Sequence, residues 1–531
     1  MTPRRIAALL VVLAAVVPYL PAVDNYFVQD DFGVVQVLSA KPAGYFPRWF
    51  VTPWMDDIWG YTPDEVRPFP AVTYQIAGVF GAGWPVPNHV VNIALHAINA
   101  LLVFGVARAA AGLAEGPALV AALVFALLPM QTESVAWITG RVDSMPACFY
   151  LAAFQLYARW RANGRTSTFW WAVAMCFIAL FTKQNGVTLL PALMAYDVLV
   201  GRRHVRASWP WLAPYVPFVL LTAGYLALRY ALFGQVARES MLTGERVGFF
   251  LQDLSVHLRR MAFGEPGLGI TGLRAAAYVG AGAAAVAAAG VALRDRTRTL
   301  PWRQAVFFVV VWMGLAVAPT LVAGYASPRH MYLASTGWAL GLGFALQVLW
   351  NARPVPHVRR AGVAAAVVLI AAYAWVLHQD VRLWDVRARV SQAAVADVER
   401  EALAAPPGTL IIAGAPRRSW DFAVPHALRP PYTREDLTRR ARVISDSSIY
   451  CCPANVWEPD TRRAMNEWAA DPSRPPVIAL HWNQDTGRVS RLSSLDEPFL
   501  RELVGLLRET PDVASLDRIL HDILTRYVAG R

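Results

Sequence analysis

The sequence predicts a polytopic α-helical membrane protein with about eleven transmembrane helices and a small C-terminal α/β or α+β soluble domain. Of its 531 residues, 56% are hydrophobic and 16% are charged, whereas soluble domains carry roughly 25% charged residues. Apolar runs close to the ~20 residues that a helix needs to cross the hydrocarbon recur as far as residue 378. Arginines cluster at the ends of these runs, where basic residues orient membrane spans. The net charge of +12 therefore does not indicate a nucleic-acid partner.

The first apolar run, residues 6–23, follows Arg4 and Arg5. It is longer than the apolar core of a typical signal peptide and no A-x-A site precedes Asp24, so we predict an uncleaved first span. The even-numbered spans lead into arginines, such as Arg108, which places those ends and the N-terminus in the cytoplasm. With an odd count, the C-terminal domain is expected in the periplasm, outside a bacterial inner membrane. The other ten spans are predicted at 88–111, 116–131, 143–160, 167–182, 185–200, 209–231, 271–293, 304–323, 331–350 and 361–378.

Four segments are predicted on the outer side of the membrane. The first is a long loop, 24–87, which is rich in aromatic residues, proline and aspartate. The third contains residues 247–263, whose apolar side chains recur on one side of a helix, as is typical of a helix lying in the interface plane. The four segments are 24–87, 132–142, 232–270 and 324–330.

From about residue 379 the composition becomes that of a soluble domain. Two apolar runs, 409–414 and 477–482, have the character of strands. We therefore predict a transmembrane bundle over 1–378 and a soluble domain over 379–531. Helical patterns surround the two runs at 382–403, 496–508 and 513–528.

The four cysteines predict neither a disulfide framework nor a metal site. Cys148 and Cys176 lie inside apolar runs, where we expect free core thiols. Cys451 and Cys452 are adjacent, and an ordinary disulfide between neighbours is strained.

Polar and charged side chains gather on the predicted outer face. Asp30 and Asp31 directly follow the first span, where carboxylates near apolar surroundings are costly and are usually retained for function. The second span carries four polar residues at spacings of three and four, which share one helical face: His89, Asn92, His96 and Asn99. The other candidates are Asp57, Arg67, Glu133, Arg141, Asp143, Lys183, Arg329 and Tyr332.

Each candidate also has a structural interpretation. Both acidic pairs, Asp30-Asp31 and Asp56-Asp57, are consistent with solvated loop ends. For the polar stripe of the second span, contacts between helices are the favoured interpretation. The remaining alternatives are an ion pair between Arg141 and Asp143, an interface anchor for Lys183 and a pairing of Arg329 with an acidic loop residue.

The combination of acids, arginines and a lysine on one membrane face suits glycosyl transfer from a polyprenyl-phosphate sugar. The attacking acceptor hydroxyl loses a proton, so the reaction needs a carboxylate base. The departing lipid phosphate develops negative charge, which arginine or lysine stabilises. Such a site lies at the interface because the donor's tail is in lipid and its sugar is in water.

Short motifs follow one another in order across about 300 residues: Asp30-Asp31-Phe32, Asp57-Ile58-Trp59-Gly60 with Arg67-Pro68, His89-x-x-Asn92-x-x-Leu95-His96, Pro129-x-x-Thr132-Glu133-Ser134-Val135-Ala136 with Gly140-Arg141-Val142-Asp143, Lys183-x-x-Gly186, and Arg329-x-x-Tyr332-Leu333. With these motifs the chain resembles the GT-C membrane glycosyltransferases. Within them it looks most like the transmembrane, tetratricopeptide-containing protein O-mannosyltransferases and their bacterial relatives. The chain departs from the family pattern where Leu128 and Gln131 replace two histidines and Gln184 replaces a glutamate, and no repeat array follows the bundle.

The resemblance implies an inverting transfer, metal-independent or assisted by a divalent metal, from a polyprenyl-phosphate sugar to a protein or glycan hydroxyl at the bilayer. It implies that Asp30 or Asp31 is the catalytic base or an acid that orients the acceptor. It makes Arg329, Lys183 and Arg141 candidates for the donor phosphate. Loop-ordering or substrate roles fall to Asp57, Arg67, His89, Glu133, Asp143 and Tyr332. The alternatives are a lipid-linked-sugar transporter, which would be expected to show two related halves, and a non-catalytic scaffold.

Overall fold

The chain forms two compact units. The first contains residues 1–23, 64–70 and 89–382, and the second contains residues 24–63, 71–88 and 383–531. The predicted division was between 1–378 and 379–531; the units also divide near this point, but they group most of the first loop with the C-terminal residues. The computed structural model describes residues 2–54, 58, 65–201, 208–236, 254, 256, 302–323, 327–351, 356–414, 426–445, 459–473, 475–483, 485–492, 501–502 and 504–506.

The first unit is helical, as its long apolar runs require, because a helix satisfies its own backbone hydrogen bonds within lipid. Its first helix has Pro3 at the N-terminal position, where proline suits helix initiation. The helices Arg141–Asn163 and Val216–Phe233 end at Gly164 and Gly234, whose φ angles of 69° and 70° are left-handed. Its helices are Pro3–Val16, Val86–Ala109 (from residue 89), Glu115–Leu127, Thr132–Ala136, Arg141–Asn163, Thr166–Leu180, Leu189–Leu199, Trp209–Leu212, Val216–Phe233, Trp302–Val306, Met313–Ala323, Ser335–Asn351 and Pro356–Ala404 (as far as residue 382).

A polytopic α-helical membrane fold is confirmed. Among the described residues, helices overlap ten of the eleven predicted spans; the eighth, 271–293, and most of the interface helix 247–263 lie outside those residues. Within the described residues, five helical stretches are long and apolar enough to cross a bilayer, and there are six if the bent pair 115–127 and 129–136 is counted as one span. The count of eleven and the topology therefore stay predictions. The five are Pro3–Ala22, Val86–Ala109, Trp209–Phe233, Arg303–Thr320 and Arg359–Ala404.

Two predicted boundaries differ from the structure for local reasons. The third predicted span breaks at Leu128, which is extended (φ −64°, ψ 121°) because Pro129 follows it, and the chain bends by 47° there. The predicted helices 361–378 and 382–403 form one helix, Pro356–Ala404. No proline or glycine interrupts residues 363–404, so the change in polarity near residue 379 does not end the helix.

The second unit contains a four-stranded sheet in the order β2-β1-β3-β4. Strand β1 pairs in parallel with β2 and β3, and β4 is antiparallel to β3. All five residues of β1 are buried, as is typical of a central parallel strand. The runs predicted as strands form β1 and β3. The strands are β1 (Leu410–Gly414), β2 (Arg442–Ser445), β3 (Val477–Asn483) and β4 (Arg488–Arg491).

The same unit contains two short helical segments in the predicted first loop, Asp31–Ser39 and the 3-10 helix Ala43–Phe50. The helix Pro68–Gly78 follows, and its residues from 71 onward belong to this unit. The helix Pro459–Ala470 packs beside β2. The first predicted outside loop is therefore partly helical.

Candidate functional site

A cluster of ion pairs lies in the first unit, formed by residues from three separate parts of the chain. The Lys183 ammonium pairs with Asp143 Oδ1, and Arg329 Nε lies 3.4 Å from Asp143 Oδ2. Arg329 Nη1 lies 2.7 Å from Glu133 Oε1. The side chains of Asp143 and Lys183 are 3% and 7% exposed, whereas that of Arg329 is 24% exposed. Asp143 is thus a buried carboxylate that two cations share, and one of those cations reaches the surface.

Two glycines permit the backbone turns that build this ion-pair cluster. A Cβ at Gly140 would clash with the Glu133 carbonyl oxygen, so this glycine lets the helix Arg141–Asn163 begin directly against the preceding turn. A Cβ at Gly186 would lie 2.7 Å from the Leu180 backbone nitrogen. The chain can therefore fold back after the helix Thr166–Leu180, which leaves Lys183 extended (φ −160°, ψ 147°). Close backbone contacts thus explain why glycine stands at position 140 before Arg141 and at position 186 after Lys183.

Glu133 and Trp137 orient Arg329. Ser327 Oγ donates to both carboxylate oxygens of Glu133, at 2.7 and 2.8 Å. The Arg329 guanidinium lies over the Trp137 ring, 4.8 Å from its centroid, in a cation–π contact. Sequence reasoning did not single out Ser327 or Trp137. The position of Ser327 two residues before Arg329 was a usable signal, whereas nothing in the sequence marked Trp137.

Arg141, a predicted phosphate ligand, is fully buried. Its Nε donates to Asn92 Oδ1 at 3.0 Å. Asn92 Nδ2 in turn donates to the carbonyl oxygens of Trp137 at 2.7 Å and Ile138 at 3.2 Å. Arg141 and Asn92 therefore support the turn between Glu133 and Asp143, and a contact of Arg141 with phosphate stays a prediction.

The polar stripe of the helix Val86–Ala109 makes contacts with other segments. Tyr332 OH lies 2.7 Å from His96 Nδ1, and Asn99 Nδ2 donates to the same hydroxyl at 3.1 Å. His96 Nε2 lies 3.0 Å from the Ala126 carbonyl oxygen, which only accepts, so Nε2 carries the proton and Nδ1 accepts from Tyr332. This chain of hydrogen bonds fixes Tyr332, three residues after Arg329. His89 is buried on the same helix.

Gln131, at a position where the family pattern has histidine, also contacts this region. Its Nε2 donates to Ser335 Oγ at 2.7 Å, and Ser335 Oγ donates to the Tyr332 carbonyl oxygen at 2.6 Å. The amide therefore ties the turn at residues 129–131 to the start of the helix Ser335–Asn351. This departure from the family pattern has a structural role here.

Arg67 joins the electrostatic environment of Lys183. Arg67 Nη2 lies 2.5 Å from Glu65 Oε2, and Gln184 Nε2 donates to Glu65 Oε1 at 2.9 Å. Burial lowers the pKa of Lys183, the Asp143 carboxylate opposes this shift, and the charges of Arg67 and Arg329 lower the pKa further. Three cations thus interact electrostatically in the ion-pair cluster. Asp57, the other predicted loop-ordering residue, lies outside the described residues.

The predicted catalytic acids belong to the second unit. Asp31 is 1% exposed, and its Oδ2 accepts a hydrogen bond from the Val28 backbone nitrogen at 3.1 Å. Asp30 precedes the helix Asp31–Ser39 and is half-buried. Gln29, just before it, has a left-handed φ of 52°. Lys183, Arg329 and Arg141 belong to the first unit, so a site shared with the acids stays a prediction.

Within the parts of the chain that the structure describes, no three or more His, Cys, Asp or Glu side chains are grouped to hold a metal ion. Cys148 and Cys176 are buried free thiols.

The chain was compared with known proteins, and no family model matches it. It is 30% identical over 224 residues to protein O-mannosyl-transferase TMTC4 of Homo sapiens, and this match covers 36% of this chain and 29% of that protein. It is 30% identical over 203 residues to protein O-mannosyl-transferase Tmtc1 of Drosophila melanogaster, covering 36% and 23% of the two chains. The chain spans less than a third of the length of these curated relatives.

Among solved structures, the chain is similar to ArnT from Cupriavidus metallidurans in the apo state. The TM-score is 0.50 and the sequence identity is 15%, and the match covers 90% of this chain and 93% of ArnT. At this identity the similarity concerns the fold alone.

The helices and this similarity define a polytopic membrane protein with the GT-C fold. Within that class, the chain is similar to the protein O-mannosyltransferases of the TMTC type, which confirms the resemblance that the motifs predicted.

Proposed function

We propose that the protein is a glycosyltransferase that moves a sugar from a polyprenyl-phosphate donor to a hydroxyl of a protein or glycan, at the outer face of a bacterial inner membrane. The observation that carries this proposal is the ion-pair cluster in which Asp143 joins Lys183 to Arg329, while Glu133 holds the other side of Arg329. The similarity to proteins named as O-mannosyl-transferases supports the same class of reaction.

The two carboxylates of this cluster, those of Asp143 and Glu133, fix the orientation of the Arg329 guanidinium. Asp143 and Glu133 hold Arg329 through Nε and Nη1, so its guanidinium keeps one orientation at the surface. Fixed cations need no reorganisation when a leaving phosphate develops charge, which makes their stabilisation larger than that of mobile cations in water. Arg329, with a partly exposed side chain, is the group that we assign to the donor phosphate, and Lys183 and Arg67 add positive potential behind it.

The transfer step balances with one carboxylate base. The acceptor oxygen forms a bond to the anomeric carbon of the sugar, and the bond from that carbon to the phosphate oxygen breaks. Its electron pair leaves with the polyprenyl phosphate, and the hydroxyl proton passes to the carboxylate. We assign this role to Asp30, because its side chain is half-buried whereas that of Asp31 is 1% exposed, so an acceptor hydroxyl has more access to Asp30.

The test uses the purified full chain in lipid nanodiscs with radiolabelled polyprenyl-phosphate mannose. Membrane proteins and glycans from a strain that lacks this chain serve as acceptors, and the label transferred is counted. Asp30→Asn should reduce transfer by about 100-fold or more, as expected for loss of a general base. Arg329→Ala should reduce it by about 100- to 1000-fold, as for loss of one charge-stabilising donor.

Arg389→Ala is the matched control for Arg329→Ala. Arg389 is 67% exposed and pairs with Asp385 on the helix Pro356–Ala404, so this variant removes the same charge from a residue that is not a member of the cluster. It should transfer label within twofold of the unmodified protein. Normal transfer by an Asp30→Asn, Asp31→Asn double variant would contradict the assignment of the acids and favour a transporter or a scaffold.

A further inference from the structure

The C-terminal residues His426–Tyr432 contact the helix Asp31–Ser39, which begins at the acidic pair; both belong to the second unit. His426 Nδ1 lies 2.9 Å from Gln36 Oε1, and Gln36 Nε2 donates to the Pro430 carbonyl oxygen at 2.7 Å. Tyr432 OH donates to the Phe32 carbonyl oxygen at 2.9 Å. Side chains and backbone of this one segment, which we call the clamp, therefore bind two successive turns of the helix.

Gly33 makes the close approach of the clamp possible. A Cβ at position 33 would lie 3.0 Å from His426 Cδ2 and 2.5 Å from Ile58 Cγ2. The other ring nitrogen, His426 Nε2, lies 2.5 Å from the Ile58 carbonyl oxygen. Glycine lowers the stability of a helix relative to alanine. Its presence in this helix is explained by the space that His426 and Ile58 occupy.

Aromatic contacts tie the clamp to the residues on either side of Asp30. The Tyr432 ring meets the Phe27 ring with centroids 5.0 Å apart and the Phe32 ring at 4.9 Å, both edge to face. Burial raises the pKa of Tyr432, and the charges of Tyr26 and Asp31 raise it further. The hydroxyl therefore stays protonated, as its hydrogen bond to Phe32 requires, and it lies within electrostatic range of Asp31.

The residues that follow the clamp in sequence are also anchored within the second unit. The Arg434 backbone nitrogen donates to Glu399 Oε1 at 2.9 Å. Arg440 donates to the carbonyl oxygens of Ala402 at 3.2 Å and Leu403 at 2.8 Å, at the C-terminal end of the helix Pro356–Ala404. These carbonyls have no partner inside the helix, so Arg440 caps it. The clamp thus contacts the helix Asp31–Ser39, and the residues just after it contact the C-terminal end of the helix Pro356–Ala404.

We propose that His426 and Tyr432 are positioning residues, which hold the helix Asp31–Ser39 so that Asp30 is placed to accept the acceptor's proton. The C-terminal domain is then part of the catalytic apparatus. This inference rests on the proposed function, because it takes Asp30 as the base. It assigns a task to residues that lie outside the motifs quoted above, which run from Asp30 to Leu333.

The test measures kcat and the donor KM for Tyr432→Phe and Gly33→Ala. Tyr432→Phe removes one hydroxyl and its hydrogen bond to Phe32. Gly33→Ala raises the helix propensity at this position but forces the side chains of His426 and Ile58 to shift. Both variants should lower kcat at least fivefold and leave the donor KM within twofold. The free energy of unfolding of both variants is measured as well; a loss of kcat in a folded variant with unchanged donor KM distinguishes positioning from simple unfolding.

Two neighbouring residues supply matched controls. A Cβ at Gly44 meets nothing within 4 Å, so Gly44→Ala makes the same change without a clash. Tyr45→Phe removes a hydroxyl from the same loop outside the clamp. Both controls should keep kcat within twofold.

A double variant separates this inference from the proposed function. If Tyr432 acts through Asp30, then Tyr432→Phe lowers kcat in the unmodified protein and causes no further loss in an Asp30→Asn background. The inference is overturned if Tyr432→Phe and Gly33→Ala keep kcat within twofold while Asp30→Asn is inactive, or if Tyr432→Phe causes the same loss in both backgrounds. Normal transfer by Asp30→Asn itself would instead overturn the proposed function.

Discussion

Asp143 is expected to be the most stabilising member of the ion-pair cluster, because it serves two cations. Asp143→Ala leaves the buried Lys183 ammonium without its carboxylate, and removing one partner of a buried pair costs about 3–5 kcal/mol. Lys183→Met should cost less, about 1.5–3 kcal/mol for one charged hydrogen bond. The difference arises because Asp143 then still has Arg329 Nε at 3.4 Å.

The double variant Asp143→Ala, Lys183→Met removes both buried charges. Its loss of stability should fall below the sum of the two single losses by at least about 1 kcal/mol, as expected for residues in direct contact. The free energy of unfolding is measured by titrating the detergent-solubilised protein with SDS and following tryptophan fluorescence. The control is Asp385→Ala, which breaks the exposed pair with Arg389 and should cost about 0.3–0.5 kcal/mol. Losses that simply add, or an Asp143→Ala variant as stable as the control, would refute this description of the cluster.

Three further variants test other contacts by the same unfolding titration. Asn92→Leu removes donors to the 135–138 turn and the acceptor for Arg141 Nε, and should cost about 1–3 kcal/mol; a neutral effect would show that this turn is held elsewhere. Asp397→Ala removes a buried carboxylate that accepts from Arg488 and the Val489 backbone nitrogen, and should cost about 1.5–3 kcal/mol, with faster proteolysis of the C-terminal residues as a second measurement. Arg440→Ala uncaps the helix Pro356–Ala404 and should lower the free energy of unfolding by about 1 kcal/mol, and Arg440→Lys should lower it less. Equal stability of the unmodified protein, Arg440→Ala and Arg440→Lys would argue against capping.

The sequence predicted the members of the ion-pair cluster and, as an alternative, a pairing of Arg329 with an acidic loop residue, which Glu133 of the predicted segment 132–142 provides. It did not predict the pairing of Asp143 with Lys183 and Arg329. Lys183, Arg329 and Asp143 were each marked by a motif, because motif positions can be read locally. Asp143 was considered as a partner of Arg141, yet residues two apart on a helix do not face each other. Its observed partners lie 40 and 186 positions away along the chain, and only the packing of helices brings them together.

Some elements of secondary structure could likewise be predicted from the sequence, and others could not. The runs that form β1 and β3 are apolar and β-branched, so they were recognisable as strands. The polar sequences of β2 and β4 were not, because these short strands are specified by their pairing with β1 and β3. The helix Pro356–Ala404 was divided in two because polarity changes along it, whereas its continuity depends on the absence of a residue that breaks helices.

Gln29 has a consequence for how the acidic pair becomes ordered. A residue with a side chain at a left-handed φ costs about 1–2 kcal/mol that glycine would avoid. Glycine at this position would also adopt many other backbone directions, so the two carboxylates after it would sample a wider range of orientations before any substrate arrives. Glutamine at this position introduces local strain but restricts the orientations of the two carboxylates. Less configurational entropy is therefore lost when the acceptor binds.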